Sequence, residues 1–267
     1  MKTKQLLSTF SLTVMLFAAC TSGGNNREQN EAAVLDKDNG YKLELISGLN
    51  TYQDALLNMM LPYDEDEIDG MVEFVFEAIN FKPGEKAKSK NELNLRKNSA
   101  GSYINLLLNG ESHKQLISTT HNAKLSNGHY VSLAFLCDGY DIAVKNPEAY
   151  VARQFLVGDT EQTFIDLSEP MIFYNQPSGV YNSDESIVLD FYVLNSTLKS
   201  NGFQVELQID GQKHIVDSWD NFRITGLGAG AYTAQLTLLD PKGNKVAGKF
   251  ATASGTFKVL GNDKMLM

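Results

Sequence analysis

The densest group of side chains that could bind a metal is the acidic block at residues 63–70, Tyr-Asp-Glu-Asp-Glu-Ile-Asp-Gly. Asp64, Asp66 and Asp69 before Gly70 resemble a loop in which alternating carboxylates surround calcium, a cation that prefers oxygen ligands. The order departs from an EF-hand, because Ile68 takes the fifth position of such a loop and the twelfth is not Glu. We therefore predict a solvated acidic turn between Asp64 and Asp69, with calcium binding as the alternative.

The four histidines could act as nitrogen ligands or general bases, but none lies in a catalytic pattern. His121 and His129 are close enough in sequence to approach each other across a hairpin. No carboxylate near them in sequence completes a zinc set, and two histidines alone are a weak metal signal. The sequence therefore predicts surface histidines at strand ends, with no metal centre and no cofactor.

Nucleophiles are equally scarce. Cys137 lies in the apolar run Leu-Ala-Phe-Leu-Cys-Asp at residues 133–138, where burial keeps a thiol protonated and inert. No Gly-x-Ser-x-Gly elbow and no phosphate-binding Gly-rich loop occur. A glycosidase needs two carboxylates placed across one bond, and nothing in the sequence selects two. We predict a protein that is not an enzyme. A hydrolase is kept as a third hypothesis, after the two binding functions described below.

Three aromatic residues form a candidate ligand face. Trp219 is the only Trp of the chain, and Tyr174 and Tyr181 could join it as platforms on which sugar rings stack. The alternative is that Trp219 covers the edge of a hydrophobic core between two strands. These residues support a carbohydrate-binding function as an alternative to a general binding or scaffold role.

Residues 1–19 have the pattern of a signal peptide. Lys2 and Lys4 form a positive start, and the apolar stretch from Leu6 to Phe17 is too short to span a bilayer, which needs about 20 residues. Small residues precede Cys20, and Phe-Ala-Ala-Cys resembles a bacterial lipobox, in which the Cys becomes the lipidated N-terminus. The alternative is an ordinary secretory signal. We expect lipidation at Cys20.

Residues 20–40 contain Ser-Gly-Gly-Asn-Asn and mixed charges, a composition typical of a flexible tether. With a net charge of −9, nucleic acid and anionic lipid surfaces are disfavoured as partners. We expect an outer-membrane lipoprotein whose partner is an envelope protein or a glycan. Residues 21–26, directly after Cys20, are neutral, which favours the periplasmic side over the cell surface.

An internal repeat predicts the architecture that carries these residues. Asn109-Gly110 and Asp210-Gly211 lie 101 residues apart, as do His113 and His214, while Gly128 and Gly230 lie 102 apart. Apolar runs rich in Val, Ile, Leu, Phe and Tyr separate the turns, a pattern typical of β-sandwiches. We predict an all-β protein of two tandem immunoglobulin-like sandwiches, domain 1 at residues 41–165 and domain 2 at residues 166–262.

Two further expectations follow from the repeat. Ile104, Leu106 and Leu108 should share one buried face of a strand. The matching residues Val205, Leu207 and Ile209 should do the same in the second domain. We also expect two separate cores, with the domains arranged end to end around a short connection that includes Pro170.

Residues 41–259 resemble a family of largely uncharacterised lipoproteins from Bacteroidetes-type bacteria. The resemblance rests on residues 128–136, 150–155, 170–174 with Pro177, 188–192, and 225–227 with Asp240. Relatives often carry paired histidines where this chain has Tyr103 and Asn105. The resemblance implies a two-module immunoglobulin-like lipoprotein and no reaction. The predicted function is a lipid-anchored, non-enzymatic binding or scaffold module of the cell envelope.

Overall fold

A computed structural model describes residues 40–49, 52–87 and 92–261. Cys20, the predicted signal peptide and nearly all of the predicted tether lie outside the described residues. Within these ranges the protein is all-β and has no helix, as predicted. Accordingly, no described segment is a helix that could cross a membrane.

Seventeen strands are present in the described part of the chain. The first nine are β1 (Lys42–Ile46), β2 (Leu56–Leu61), β3 (Asp66–Ile68), β4 (Met71–Ile79), β5 (Tyr103–Leu108), β6 (Glu111–Leu116), β7 (Thr120–Lys124), β8 (Gly128–Cys137) and β9 (Tyr150–Val157). The other eight are β10 (Met171–Gln176), β11 (Gly179–Tyr181), β12 (Ile187–Leu194), β13 (Gln204–Ile209), β14 (Gln212–Val216), β15 (Asn221–Thr225), β16 (Gly230–Leu239) and β17 (Thr252–Val259).

These strands form two sandwiches with the same plan, as the repeat predicts. Sandwich 1 pairs the sheet β2-β4-β7 with the sheet β3-β9-β8-β5-β6. Sandwich 2 pairs the sheet β1-β15-β12-β10 with the sheet β11-β17-β16-β13-β14. Every strand of sandwich 1 has a counterpart in sandwich 2, down to the short strands β3 and β11, which pair in parallel with β9 and β17.

The repeated turns have the conformation that their residues predict. Asn109 and Gly110 join β5 to β6 with φ of 52° and 87°, and Asp210 and Gly211 join β13 to β14 with φ of 49° and 81°. Positive φ at both central positions defines the tight hairpin turn that Asn-Gly and Asp-Gly favour. The two copies therefore turn in the same way at the same place.

The first predicted domain boundary needs a correction. β1 lies at the start of predicted domain 1, yet it pairs with β15 of sandwich 2, with Leu43 opposite Ile224. Tyr41 just before it is buried in the core of sandwich 2. The alternation of residues 41–46 predicts a strand but not its partner, because pairing across about 180 residues leaves no local pattern. Sandwich 2 is thus built from two separated parts of the chain.

The sandwiches stack face to face, which also corrects the expected end-to-end arrangement. In β5, Ile104, Leu106 and Leu108 face the core of sandwich 1, as predicted, while Tyr103 and Leu107 face the other way and are buried as well. In sandwich 2, β12 places Phe191 in its own core and Tyr192 in this outer layer. Val205, Leu207 and Ile209 line the core of sandwich 2, as predicted.

Three hydrophobic cores therefore separate four layers of sheet. One core lies inside each sandwich and the third lies between the two sandwiches. The two central sheets are buried on both faces, which explains why β5, β8 and β12 are apolar on both faces along most of their length. All described residues belong to one compact unit.

Candidate functional site at the interface of the sandwiches

The interface between the sandwiches is a hydrophobic core of its own. Sandwich 1 contributes residues of β5 and β8, and sandwich 2 contributes residues of β10 and β12 together with Phe250. Phe135 and Tyr192 meet across it with ring centroids 4.5 Å apart, a favourable aromatic contact. An interface with a core of this kind holds two modules in one orientation, because separating them would expose large apolar side chains to water.

Asp190 is the centre of a polar cluster within this apolar interface. It lies on β12, is fully buried, and accepts hydrogen bonds at Oδ2 from Asn175 Nδ2 at 2.7 Å and from the Ala143 amide at 2.7 Å. Asn175 Oδ1 in turn accepts a hydrogen bond from Asn105 Nδ2 at 3.1 Å. The cluster joins both sandwiches, because Asn105 and Ala143 belong to the first and Asn175 and Asp190 to the second.

Lys145 supplies the countercharge to Asp190. Its Nζ lies 3.1 Å from Asp190 Oδ1, and it also donates to the Asp220 carbonyl at 2.8 Å. The ammonium lies 4.9 Å from the centroid of the Phe191 ring. Burial lowers the pKa of Lys145, and the Asp190 carboxylate opposes that change. A buried pair of this kind fixes orientation more than it adds stability.

A second ion pair closes the rim of the interface. Arg96 Nη2 lies 3.3 Å from Asp141 Oδ2, and Arg96 Nη1 donates to the carbonyl of Ser178 at 2.7 Å. The guanidinium also lies over the Tyr181 ring, 4.5 Å from its centroid. Arg96 thus links the loop before β5 to the start of β11 in the other sandwich.

Asp138 is a buried acid next to these charges. Burial raises the pKa of Asp138 to about 7, with smaller contributions from Asp190 and Asp141, while hydrogen bonds from the amides of Tyr140 and Ile142 oppose the rise. Those amides donate to Asp138 Oδ1 at 2.8 and 3.1 Å. The carboxyl group is thus committed to a turn of the backbone and takes up a proton near neutral pH.

A groove of about 210 Å³ opens where the two sandwiches meet at the β5–β6 turn. The turn supplies Asn109, Gly110 and Glu111, and sandwich 2 supplies the remainder: Ile172, Gln235, Lys249, Phe250, Thr252, Ala253 and Ser254. Asn109 is held in place because its side-chain oxygen accepts a hydrogen bond from the Val131 amide at 3.0 Å. The groove offers several hydrogen-bonding groups, among them the negative charge of Glu111 and the positive charge of Lys249, while its aromatic residue, Phe250, is almost fully buried.

The sequence prediction missed this groove. Lys249 and Phe250 follow a loop without any recognisable motif, and they meet Glu111 only because the sandwiches stack face to face. The Asn109-Gly110 turn is the one part of the groove that the sequence makes recognisable. The copy of that turn in the second sandwich, Asp210-Gly211, lies outside the groove.

The predicted aromatic ligand face does not form an open surface. Tyr181 is only 3% exposed, and its hydroxyl donates to Gln176 Oε1 at 3.1 Å. Tyr174 packs on the core of sandwich 2 and donates to the Pro177 carbonyl at 2.6 Å. Trp219 packs against two cores, and its Nε1 donates to the Phe191 carbonyl at 2.8 Å. This placement matches the alternative in which Trp219 covers a core edge.

The acidic block forms a turn and a short strand. Asp66 begins β3 and its Oδ2 accepts a hydrogen bond from the Tyr63 amide at 2.9 Å. Asp64 Oδ1 accepts one from the Gln154 amide at 3.0 Å. These carboxylates stabilise the backbone around β3, and no cluster of three or more potential metal ligands occurs among the described residues.

The remaining candidate residues are dispersed. His129 Nε2 lies 3.1 Å from Gln154 Oε1 and does not meet His121, which instead lies beside His113. Cys137 is fully buried in the interface, and burial raises the pKa of its thiol well above the usual range. The buried position is the one that the sequence predicts for Cys137, and burial of this kind disfavours the reactive thiolate.

Comparison with known proteins finds similar solved structures but no related family. No family model matches the sequence, and no curated protein matches it. Fibronectin(III)-like modules of Clostridium thermocellum CbhA are similar in structure, with 9% identity, coverage of 79% of this chain and 98% of theirs, and a TM-score of 0.29. The central fibronectin-III array of RIM-binding protein gives 13% identity, coverage of 86% and 72%, and a TM-score of 0.26.

A Bacteroides ovatus protein from a mixed-linkage glucan utilization locus, solved with a mixed-linkage heptasaccharide, is also similar. It has 10% identity to this chain, coverage of 76% of this chain and 47% of its own, and a TM-score of 0.24. Identities and TM-scores this low carry no argument about function. The described chain is an all-β protein of tandem sandwiches, and two of the structures similar to it are described as fibronectin-III modules.

Proposed function

We propose that this protein is a lipid-anchored cell-envelope protein that acts as a non-enzymatic binding or scaffold module. The observation that carries the proposal is the buried interface, which joins two sandwiches through one apolar core and the Lys145–Asp190 pair. Two sandwiches joined in this way hold their outer surfaces at a fixed distance and orientation. They also form a groove together, and that groove exists only while the interface is intact.

The groove is the proposed contact point for a partner. Site-specific photocrosslinking tests this in cells, with a photoreactive residue placed at Glu111. A matched control carries the same residue at Glu77, which is exposed on the outer face of the three-stranded sheet. We expect a discrete adduct with an envelope component from position 111 and none from position 77. Equal labelling from both positions, or none from either, would count against the groove.

A carbohydrate partner is the second candidate. The groove presents hydrogen-bonding side chains from Gln235, Lys249 and Ser254, which suit a hydroxyl-rich ligand, while the Phe250 ring beside them is only 5% exposed. Screening the protein against an array of polysaccharides tests this directly. Binding that Lys249→Ala abolishes, with an unchanged melting temperature, would support a glycan site. Binding that is indifferent to Lys249→Ala would place the glycan elsewhere.

The absence of catalysis is supported by how the buried reactive groups are used. Asp138 caps a backbone turn, Asp190 is paired with Lys145, and Cys137 has no access to solvent. These buried groups belong to a backbone turn and to the interface, and they are not arranged around an open cleft. Assays with polysaccharide and peptide substrates test the point, and turnover that survives purification and depends on a groove carboxylate would refute it.

Lipid anchoring rests on the segment before and at Cys20. We expect the parent protein to enter the detergent phase on phase separation, and Cys20→Ala to remain aqueous or unprocessed. Protease treatment of intact cells then separates the two faces of the outer membrane. Protection from the protease supports the periplasmic side, and digestion places the protein at the cell surface.

A further inference from the structure

Two histidines meet at the open edge of sandwich 1. The Nε2 atoms of His113 on β6 and His121 on β7 lie 3.3 Å apart, and their ring centroids are 5.5 Å apart. β6 is the edge of the five-stranded sheet, and β7 is the edge of the three-stranded sheet. The pair therefore spans the gap between the two sheets of this sandwich.

A β-bulge aims His113 into that gap. In the pairing of β5 with β6, Leu106 lies opposite Lys114 and Leu107 lies opposite Ser112, which leaves His113 as the extra residue. A bulge of this kind redirects the side chain that it carries. His121 is held by the neighbouring strand, because its ring stacks on that of Phe74, with centroids 6.2 Å apart.

Sandwich 2 offers an internal comparison. His214 occupies the place of His113, but there the gap is filled by the segment at β1. Its Nε2 lies 3.1 Å from the Tyr41 carbonyl, and its ring lies 4.5 Å from that of Tyr41. Phe222 takes the place of His121. Within the described part of the chain, two imidazoles come together at this place in sandwich 1 and not in sandwich 2.

We propose that His113 and His121 form a binding site for a divalent transition-metal ion, with Zn²⁺ as the best fit. Two nitrogens at about 2.05 Å from a tetrahedral zinc ion are about 3.3 Å apart, the separation found between these Nε2 atoms. The remaining coordination positions are open to water or to a donor from another molecule. The ion would clip the two sheets together at their edges.

One charge near the pair affects the strength of the proposed site. Burial lowers the pKa of both His113 and His121, and the nearby Lys114 ammonium adds to this lowering. Lys114 also repels a bound cation. With two protein ligands and a nearby positive charge, the site should bind Zn²⁺ weakly and reversibly.

Zinc titration of the full chain tests the proposal through the side-chain ¹⁵N signals of its four histidines. We expect the chemical shifts of His113 and His121 to change together with increasing zinc concentration and to reach a plateau. The chemical shifts of His129 and His214 should remain unchanged. Because an ion that binds only the folded state stabilises it, zinc should also raise the melting temperature. His121→Asn and His113→Asn should each weaken binding by about tenfold or more, and His214→Asn should not.

Lys114→Ala is the complementary variant, and it should tighten zinc binding because it removes the repelling charge. The proposal fails if the ring signals of His113 and His121 do not respond to zinc. It also fails if the melting shift persists in both His113→Asn and His121→Asn. The nuclear magnetic resonance titration uses the parent protein alone, so it decides the question even if a variant folds poorly.

Discussion

Lys145 and Asp190 come from different sandwiches, and their charged atoms meet at 3.1 Å in an interface that is otherwise almost entirely apolar. The lysine side chain is 7% exposed and the aspartate is 0% exposed, so water solvates neither charge well and each depends on its partners within the protein. The pair therefore favours one orientation of the two sandwiches, because any other orientation would leave a buried charge without its partner.

Removing one member of this pair should be costly. We expect Lys145→Met to lower the free energy of unfolding by about 3–5 kcal/mol, because it leaves the Asp190 carboxylate buried and unpaired. The double variant Lys145→Met with Asp190→Asn should recover part of that loss. Urea denaturation measures both. Lys213→Met is the control: its pair with Glu206 is exposed, so its removal should cost below about 1 kcal/mol.

Asp138 should make stability depend on pH. Its pKa is about 7 in the folded protein and 3.8 in the reference state. The folded state therefore holds a proton that the unfolded state has lost between these values. This contribution to stability is complete below about pH 4 and falls by at most about 1.4 kcal/mol per pH unit up to pH 7. Asp138→Asn should remove it, as denaturation at pH 5 and pH 8 would show. Equal slopes in parent and variant would contradict the assignment.

Leu207 tests the register of sandwich 2. It is fully buried in the core, so Leu207→Ala should lower the free energy of unfolding by about 2–5 kcal/mol. Ile215 is a control on the neighbouring strand, since it is largely exposed and Ile215→Ala should have little effect. A loss below about 0.5 kcal/mol at Leu207 would mean that the face is misassigned.

A fragment of residues 170–261 should not fold cooperatively by itself. It lacks β1 and Tyr41, and it exposes the outer face of β12 with Tyr192 and Leu194. This reverses what the repeat alone suggests. Thermal unfolding followed by circular dichroism, compared with the full chain, measures it. A sharp transition in the fragment would show that the interface core is dispensable.

Sequence reasoning reached the parts of this fold that are encoded locally. Asn109-Gly110 and Asp210-Gly211 specify their turns, and alternation in residues 204–209 specifies the buried face. The contacts between the two sandwiches are not encoded locally, because they join residues that are far apart in the sequence. Asn105 and Asn175 read as ordinary strand residues, and only the stacking of two sheets makes them partners. The candidate site was missed for the same reason, since Glu111 and Lys249 are far apart in sequence.

The pairing of β1 with β15 determines where the N-terminal segment enters the described structure. The described chain begins at Gly40 on the edge of sandwich 2, next to Gln212, and only afterwards passes to sandwich 1. If Cys20 holds the protein to a membrane, the pulling force acts on the C-terminal module. β1 would then be loaded along its length against β15, and that pairing would bear the force before the backbone that continues into sandwich 1.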